Sequence, residues 1–135
     1  MKFGILALAL ALPAACGPQD TATVPAQDAA RAWLALTDGG RYAESWDEGA
    51  ASLRLAIPRA SWEAALRPVR APLGRTLSRK LKSATATKTL PGAPDGDYVV
   101  IQFETSFENK AAAVETITPM KEKDGAWRVS GYFIR

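Results

Sequence analysis

The spacing of apolar residues changes once along this chain. From Ala26 to Val69 they recur every three or four positions; after Leu73 they recur every second one. The first spacing lines side chains along one stripe of a helix, and the second lines them along one face of a strand. A chain that switches once and does not switch back folds as helices first and a sheet afterwards. Ala26, Ala29, Ala30, Trp33 and Leu36 mark a first helix over 26–38, stopped by Gly39-Gly40 where a left-handed cap belongs. In RYAESWDEGAASL, residues 41–53, Tyr42, Trp46, Ala50 and Leu53 share a face. In PRASWEAALRPVR, residues 58–70, Pro58 precedes a stripe of Trp62, Ala65, Leu66 and Val69. Each of these three helices carries one tryptophan, and a tryptophan in an apolar stripe reads as a core anchor before it reads as a ring that stacks on a ligand.

Four strands follow. LGRTLSRKLKSATATKTL, residues 73–90, places Leu73, Leu77 and Leu81 opposite Thr76, Ser78, Lys80 and Lys82. In DYVVIQFETSFE, Val99, Ile101, Phe103 and Phe107 face one way and Gln102, Glu104 and Glu108 the other. AAAVETITPMK sets Val114 and Met120 opposite Glu115 and Lys121, and GAWRVSGYFIR sets Trp127, Val129 and Phe133 against Arg128, Ser130 and Arg135. One buried face per strand predicts an antiparallel sheet with its other face in water. The connections are the loop PGAPDGD, a short turn near Asn109, and KDG with Asp124-Gly125 as a hairpin turn, which together predict a meander. The expectation is an α+β domain over 26–135, three N-terminal helices packed on a curved four-stranded antiparallel sheet. That layout fits a cystatin-like, nuclear transport factor 2-like cone.

Ahead of this domain stands a leader. Lys2 is followed by an apolar run from Phe3 to Leu12, and small residues Ala14 and Ala15 precede Cys16, the only cysteine of 135 residues. These are the parts of a secretory signal peptide. Ten apolar residues fall well short of the roughly 20 that a membrane-spanning helix needs. The run LPAAC resembles the lipobox of bacterial lipoproteins, with Pro13 at the position usually held by Leu. The reading is a signal peptide over 1–15, a lipidated Cys16 opening a flexible tether over 16–25, and an attachment of the protein to a membrane through that lipid. A free thiol, or ordinary cleavage after Ala15, is the plain alternative. Gly17, where Asp commonly means retention at the inner membrane, points to the periplasmic face of the outer membrane, with a soluble periplasmic protein as the alternative address.

Further residues look familiar. SWDE at 45–48, LGRTLSR at 73–79, LPGAPDGDYVVIQFETSFENK at 90–110, AVETI at 113–117 and DGAWRVSGYFIR at 124–135 resemble the bacterial Domain of Unknown Function 4019 family. The resemblance covers nearly all of the mature domain. It implies exported bacterial proteins, many of them predicted lipoproteins, with a cystatin-like or nuclear-transport-factor-like fold. It implies no activity and no catalytic residues.

The chemistry available is narrow. The chain holds no histidine, which removes Ser-His-Asp and Cys-His catalysis and the usual transition-metal ligands. No phosphate-binding loop or dinucleotide fingerprint occurs. Asp95, Asp97 and Asp124 offer oxygens for calcium, but each lies in a turn that favours Asp for its own backbone hydrogen bonds. An acid-base enzyme of the same fold would draw on Tyr98, Glu104, Asp47 or Glu44, and only fold analogy supports it. Charge is segregated: residues 54–88 carry nine bases against Glu63 alone. In that belt Arg75, Arg79, Lys80 and Lys82 are candidates for an anionic partner, against the alternative of a basic edge strand that resists aggregation. The expectation is a non-enzymatic envelope lipoprotein without cofactor or metal, whose domain binds a ligand, anionic lipid or envelope protein and no nucleic acid. A small pocket enzyme and a passive structural domain are the alternatives. Mass spectrometry of the mature N terminus is expected to show an acylated cysteine; an unmodified Ala or Cys terminus would refute the anchor.

Overall fold

The structure is a computed structural model and describes residues 18–135, so the leader and Cys16, with the expectations placed on them, lie outside the described residues. Helices α1 (Pro18–Asp38), α2 (Tyr42–Asp47), α3 (Ala51–Ala56) and α4 (Arg59–Arg70) come first. A 3-10 turn (Ala71–Leu73) leads into strands β1 (Thr76–Thr87), β2 (Tyr98–Phe107), β3 (Lys110–Lys121) and β4 (Trp127–Ile134). The strands pair antiparallel in chain order, a four-stranded meander. The class is α+β, as the single change of period predicts.

Two helical expectations are corrected. There are four helices rather than three, because 41–53 is broken at Glu48–Ala50, where Ala50 is extended and its amide donates to the Val129 carbonyl at 2.8 Å. Gly49 permits the break: a Cβ there would lie 2.7 Å from the Leu53 side chain. The first helix is already formed at Pro18, ahead of residue 26, so residues 18–25, read as a tether, are helical. The sequence argued against this with Pro25, which removes one helical hydrogen bond. What favours the helix is burial: Thr23 and Ala26 are buried among the described residues, one turn apart on the face that meets the sheet.

Ala26, Ala30, Trp33 and Leu34 of α1 pack on Val99, Ile101, Phe103, Ile117 and Val129. The two alanines let the helix axis approach the sheet closely. The tryptophans hold helices together. Trp33 Nε1 donates to the Ser45 carbonyl at 2.8 Å, Trp62 Nε1 donates to Ser45 Oγ at 2.9 Å, and Trp46 Nε1 donates to the Ile57 carbonyl at 2.8 Å. Trp33 also meets the Trp62 ring at 6.2 Å and the Tyr132 ring at 5.1 Å.

The strands depart from strict alternation at bulges, each of which reverses which side chains face inward. A shift between Thr76 and Ser78 turns Leu77 to solvent, 60% exposed, although simple parity predicts it buried with Leu81. A shift opposite Thr118/Pro119 makes Ser130 an extra residue in β4, so that Val129 and then Tyr132 face inward and Phe133 faces out. In β3 the inward set is Ala113, Glu115 and Ile117; Glu115 was expected in water and is fully buried. Phe103 is fully buried between α1 and the sheet, and Phe103→Ala is expected to cost about 3–5 kcal/mol in urea denaturation. A loss under about 1 kcal/mol would show that this core closes over the cavity.

Candidate functional site

Arg79 and Glu115 face inward for reasons of register. Arg79 lies opposite Thr105 and shares its face with Leu81; Glu115 lies opposite Phe103 and shares its face with Ile117. The sheet therefore brings a guanidinium and a carboxylate onto its buried, helix-facing side. Glu115 accepts from Arg79 Nε at 2.8 Å, from Thr105 Oγ1 at 2.5 Å and from the Tyr132 hydroxyl. The other edge of Arg79 forks onto Asp38, the last residue of α1, with Nη1 and Nη2 at 2.8 and 2.9 Å from its two oxygens.

Arg70, the last residue of α4, completes the set. Its side chain is 2% exposed and lies over the Phe107 ring, 4.4 Å from the centroid. Nη1 donates to the Gly74 carbonyl at 2.8 Å, and Nη2 donates to Asp38 Oδ1 at 3.0 Å and to Thr76 Oγ1 at 2.7 Å. Gly74, with φ +75°, makes the turn that aims this carbonyl back at the helix end. Burial alone would raise the Asp38 pKa, but hydrogen bonds and charge from Arg79, with bonds from Arg70 and Thr76, hold it below the usual range. Tyr132 is pushed well above the ordinary phenol value, first by burial, then by the Glu115 charge and the hydrogen bond to it. Two cations and two carboxylates balance, and both Glu115 oxygens and both Asp38 oxygens are taken. The cluster joins α1, α4 and all four strands, and of its buried side-chain nitrogens and oxygens Arg70 Nε lacks a hydrogen-bond partner among the described residues.

The residues singled out from sequence are dispersed. Arg79 is inside this cluster. Arg75 is exposed and paired with Glu108, whose Oε1 accepts both its Nε and its amide. Lys80 and Lys82 are exposed and form no ion pair among the described residues; Lys80 lines a shallow hollow of about 540 Å³ on the outer sheet face, with Ser78, Glu104, Ser106 and Arg135. Of the acid-base candidates, Tyr98 is buried and donates to the Pro94 carbonyl at 2.7 Å. Glu104 is on the outer face, Asp47 is clamped by Arg59 at 2.9 Å through both oxygens, and Glu44 is exposed beside Arg41. Asp97 pairs with Lys88, and Asp124 accepts from the Ala126 amide and from Arg128. No group of three or more metal-ligating side chains is placed together among the described residues.

Sequence reasoning missed Asp38, Arg70, Glu115 and Tyr132. A signal existed for one pair: Arg79 shares parity with Leu81, and an arginine on an apolar strand face calls for a buried carboxylate. Glu115 between Ala113 and Ile117 is that carboxylate.

The accessible feature next to this cluster is apolar. A groove of about 240 Å³ runs between α4 and β4, lined by Trp62, Leu66, Val69, Tyr132, Phe133 and Ile134. Val69 and Phe133 are about half exposed. It borders an open sheet edge. Arg135 and Val114 exchange both backbone hydrogen bonds, so by alternation Phe133 also faces β3, while the N–H and C=O groups of Tyr132 and Ile134 point away from it. Earlier on the same edge the Val129 carbonyl is capped by Ala50.

A family model described as protein of unknown function (DUF4019) matches residues 29–132. The chain belongs to the DUF4019 family. The match spans α1 from its fourth turn to Tyr132, so in this DUF4019 chain the ion cluster lies within the family's span. No curated protein and no solved structure matches.

Because the Asp38 pKa is depressed in the fold, its contribution is full above its unfolded value and is lost as pH falls through the folded one. Asp38→Asn is expected to lower stability by about 2 kcal/mol at neutral pH and to flatten the loss of stability as pH falls below the ordinary aspartate range, read by urea denaturation at each pH. Parallel profiles for the two proteins would refute the role of Asp38.

Proposed function

We propose that this DUF4019 chain is an envelope lipoprotein, acylated at Cys16 and held at the periplasmic face of the outer membrane, whose domain acts by binding and not by catalysis. Its helices on a curved sheet are of the cystatin-like, nuclear transport factor 2-like kind. In that arrangement the space between helices and sheet is where a catalytic group would sit, and here it is filled by a charge-balanced cluster with its carboxylate oxygens occupied. The binding surface is the groove beside the open half of β4. Its occupant is an extended segment of another envelope protein, added as a further strand with alternate apolar side chains entering the groove.

One observation carries this reading: among the described residues the edge is capped at Val129 and left open at Tyr132 and Ile134, where the groove lies. Exposed edges are ordinarily blocked, so an open half-edge beside apolar side chains supports strand addition. The anionic partner stays as a second reading on the outer face, where Lys80 and Lys82 lack ion pairs among the described residues, with two cations where the sequence offered four.

A photo-crosslinking residue at Val69 in the intact lipoprotein is expected to give a discrete adduct in envelopes. Ile134→Pro is expected to abolish it, since the Ile134 N–H points away from β3 and its loss spares the internal ladder. The same residue at Leu55, 88% exposed on α3, is expected to give none. Equal adducts at both positions, or an adduct indifferent to a folded Ile134→Pro variant, would overturn the groove.

A further inference from the structure

Between Cys16 and the domain there is almost no chain. Two peptide units separate Cys16 from Pro18, about 7 Å at full extension, and from Pro18 onward the chain is helix. A lipid on Cys16 would therefore hold the domain at one defined end, and that end can be identified. Ala22 lies beside Ala86, Thr87, Lys88, Asp97 and Trp127, and the Lys121 amide donates to the Asp97 carbonyl at 2.9 Å. The N-terminal turns of α1 thus sit at the pole made by the β1–β2 loop and the β3–β4 turn. The opposite pole carries Asp38, Arg70 and Thr76; Thr76 and Thr87 are the two ends of β1, roughly 35 Å apart at strand rise.

We infer that the pole formed by residues 86–97 and 121–127 is seated on the bilayer headgroups, as the membrane-contact surface of the domain. This rests on the acylation of Cys16 proposed above. The charge of this surface does not replace the anchor: Lys88, Lys121 and Lys123 stand against Asp95, Asp97, Glu122 and Asp124, a net of −1. The side chains presented include Thr89, Pro91, Ala93, Pro94 and Lys123, all exposed and mostly small or apolar. Such a surface is tolerated at a headgroup layer without binding to it unaided, so the lipid holds it there. The seat also places the Asp38–Arg70 pole on the far side of the domain.

The test uses the lone cysteine. Once Cys16 is acylated, an introduced cysteine is the only free thiol in the chain. Thr89→Cys and Lys123→Cys probe the seated pole, and Ala71→Cys, exposed beside Arg70, probes the far one. Each lipoprotein is placed on phosphatidylethanolamine/phosphatidylglycerol vesicles and labelled with a bulky, membrane-impermeant maleimide, against the soluble Cys16→Ser form of the same variant. Labelling at residues 89 and 123 is expected to slow about tenfold on vesicles, as for groups held in the headgroup layer, while residue 71 is unchanged. A 15-residue Gly/Ser insert between Gly17 and Pro18, whose reach is about 20 Å, is expected to restore the rates. Equal rates at 71, 89 and 123 on vesicles that carry the protein would overturn the seat and leave the anchor standing. Failure to float with vesicles, or labelling of Cys16 itself, would overturn the anchor and the seat with it.

Discussion

One guanidinium decides how this domain closes. Arg79 reaches from β1 to Asp38 at the end of α1 and to Glu115 in the middle of β3, and Arg70 brings the end of α4 to the same aspartate. Burying Arg70, Arg79 and Glu115 is expensive, and a well-packed apolar set of equal volume is often as stable. What the cluster supplies is registry. If β1 slipped by one residue, Arg79 would turn to water and Glu115 would be left as a buried carboxylate without its cation, at a cost of several kcal/mol. This pairing of strands, with α1 and α4 docked as they are, gives each charged member an opposite charge, although Arg70 Nε is left without a hydrogen-bond partner among the described residues.

The same pinning leaves the groove. Arg70 fixes α4 at its C-terminal end, and Trp62 fixes it on Ser45 of α2, so α4 packs chiefly on α2 and stands off from β4. Ala50 then caps the nearer half of the β4 edge through Val129, and the remaining half stays open beside the apolar side chains of α4. At the other edge of the sheet β1 is bulged twice and exposes Lys80 and Lys82, the usual protection against unwanted pairing. The two edges are treated differently, and the difference is built from particular residues.

Element type and order were legible because they depend on local periodicity. The strand runs around Val99–Phe107 and Trp127–Val129 alternate cleanly, and each meets the sheet on the side its pattern predicts. Leu77, Phe133 and Glu115 were misassigned for one shared reason: parity arguments fail beyond a bulge, or where two parities carry comparable apolar weight. In β3, Val114 and Met120 compete with Ala113 and Ile117, and only the neighbouring strands decide between them. The start of α1 was hidden because Pro25 and a polar run argue for a loop, while burial of Thr23 against the sheet is a long-range effect.

By itself the sequence determined the class, the order of helices and strands, the meander, the family and the narrow chemical repertoire of a chain without histidine. These follow from residue types and spacings of two or three to four, which are local properties. The tertiary structure alone decided that Arg79 faces Glu115, that α1 already includes Pro18, and that an edge open among the described residues lies beside α4. Each depends on contacts between residues dozens of positions apart, and a long-range charge pair or a bulge leaves no periodic trace in the chain.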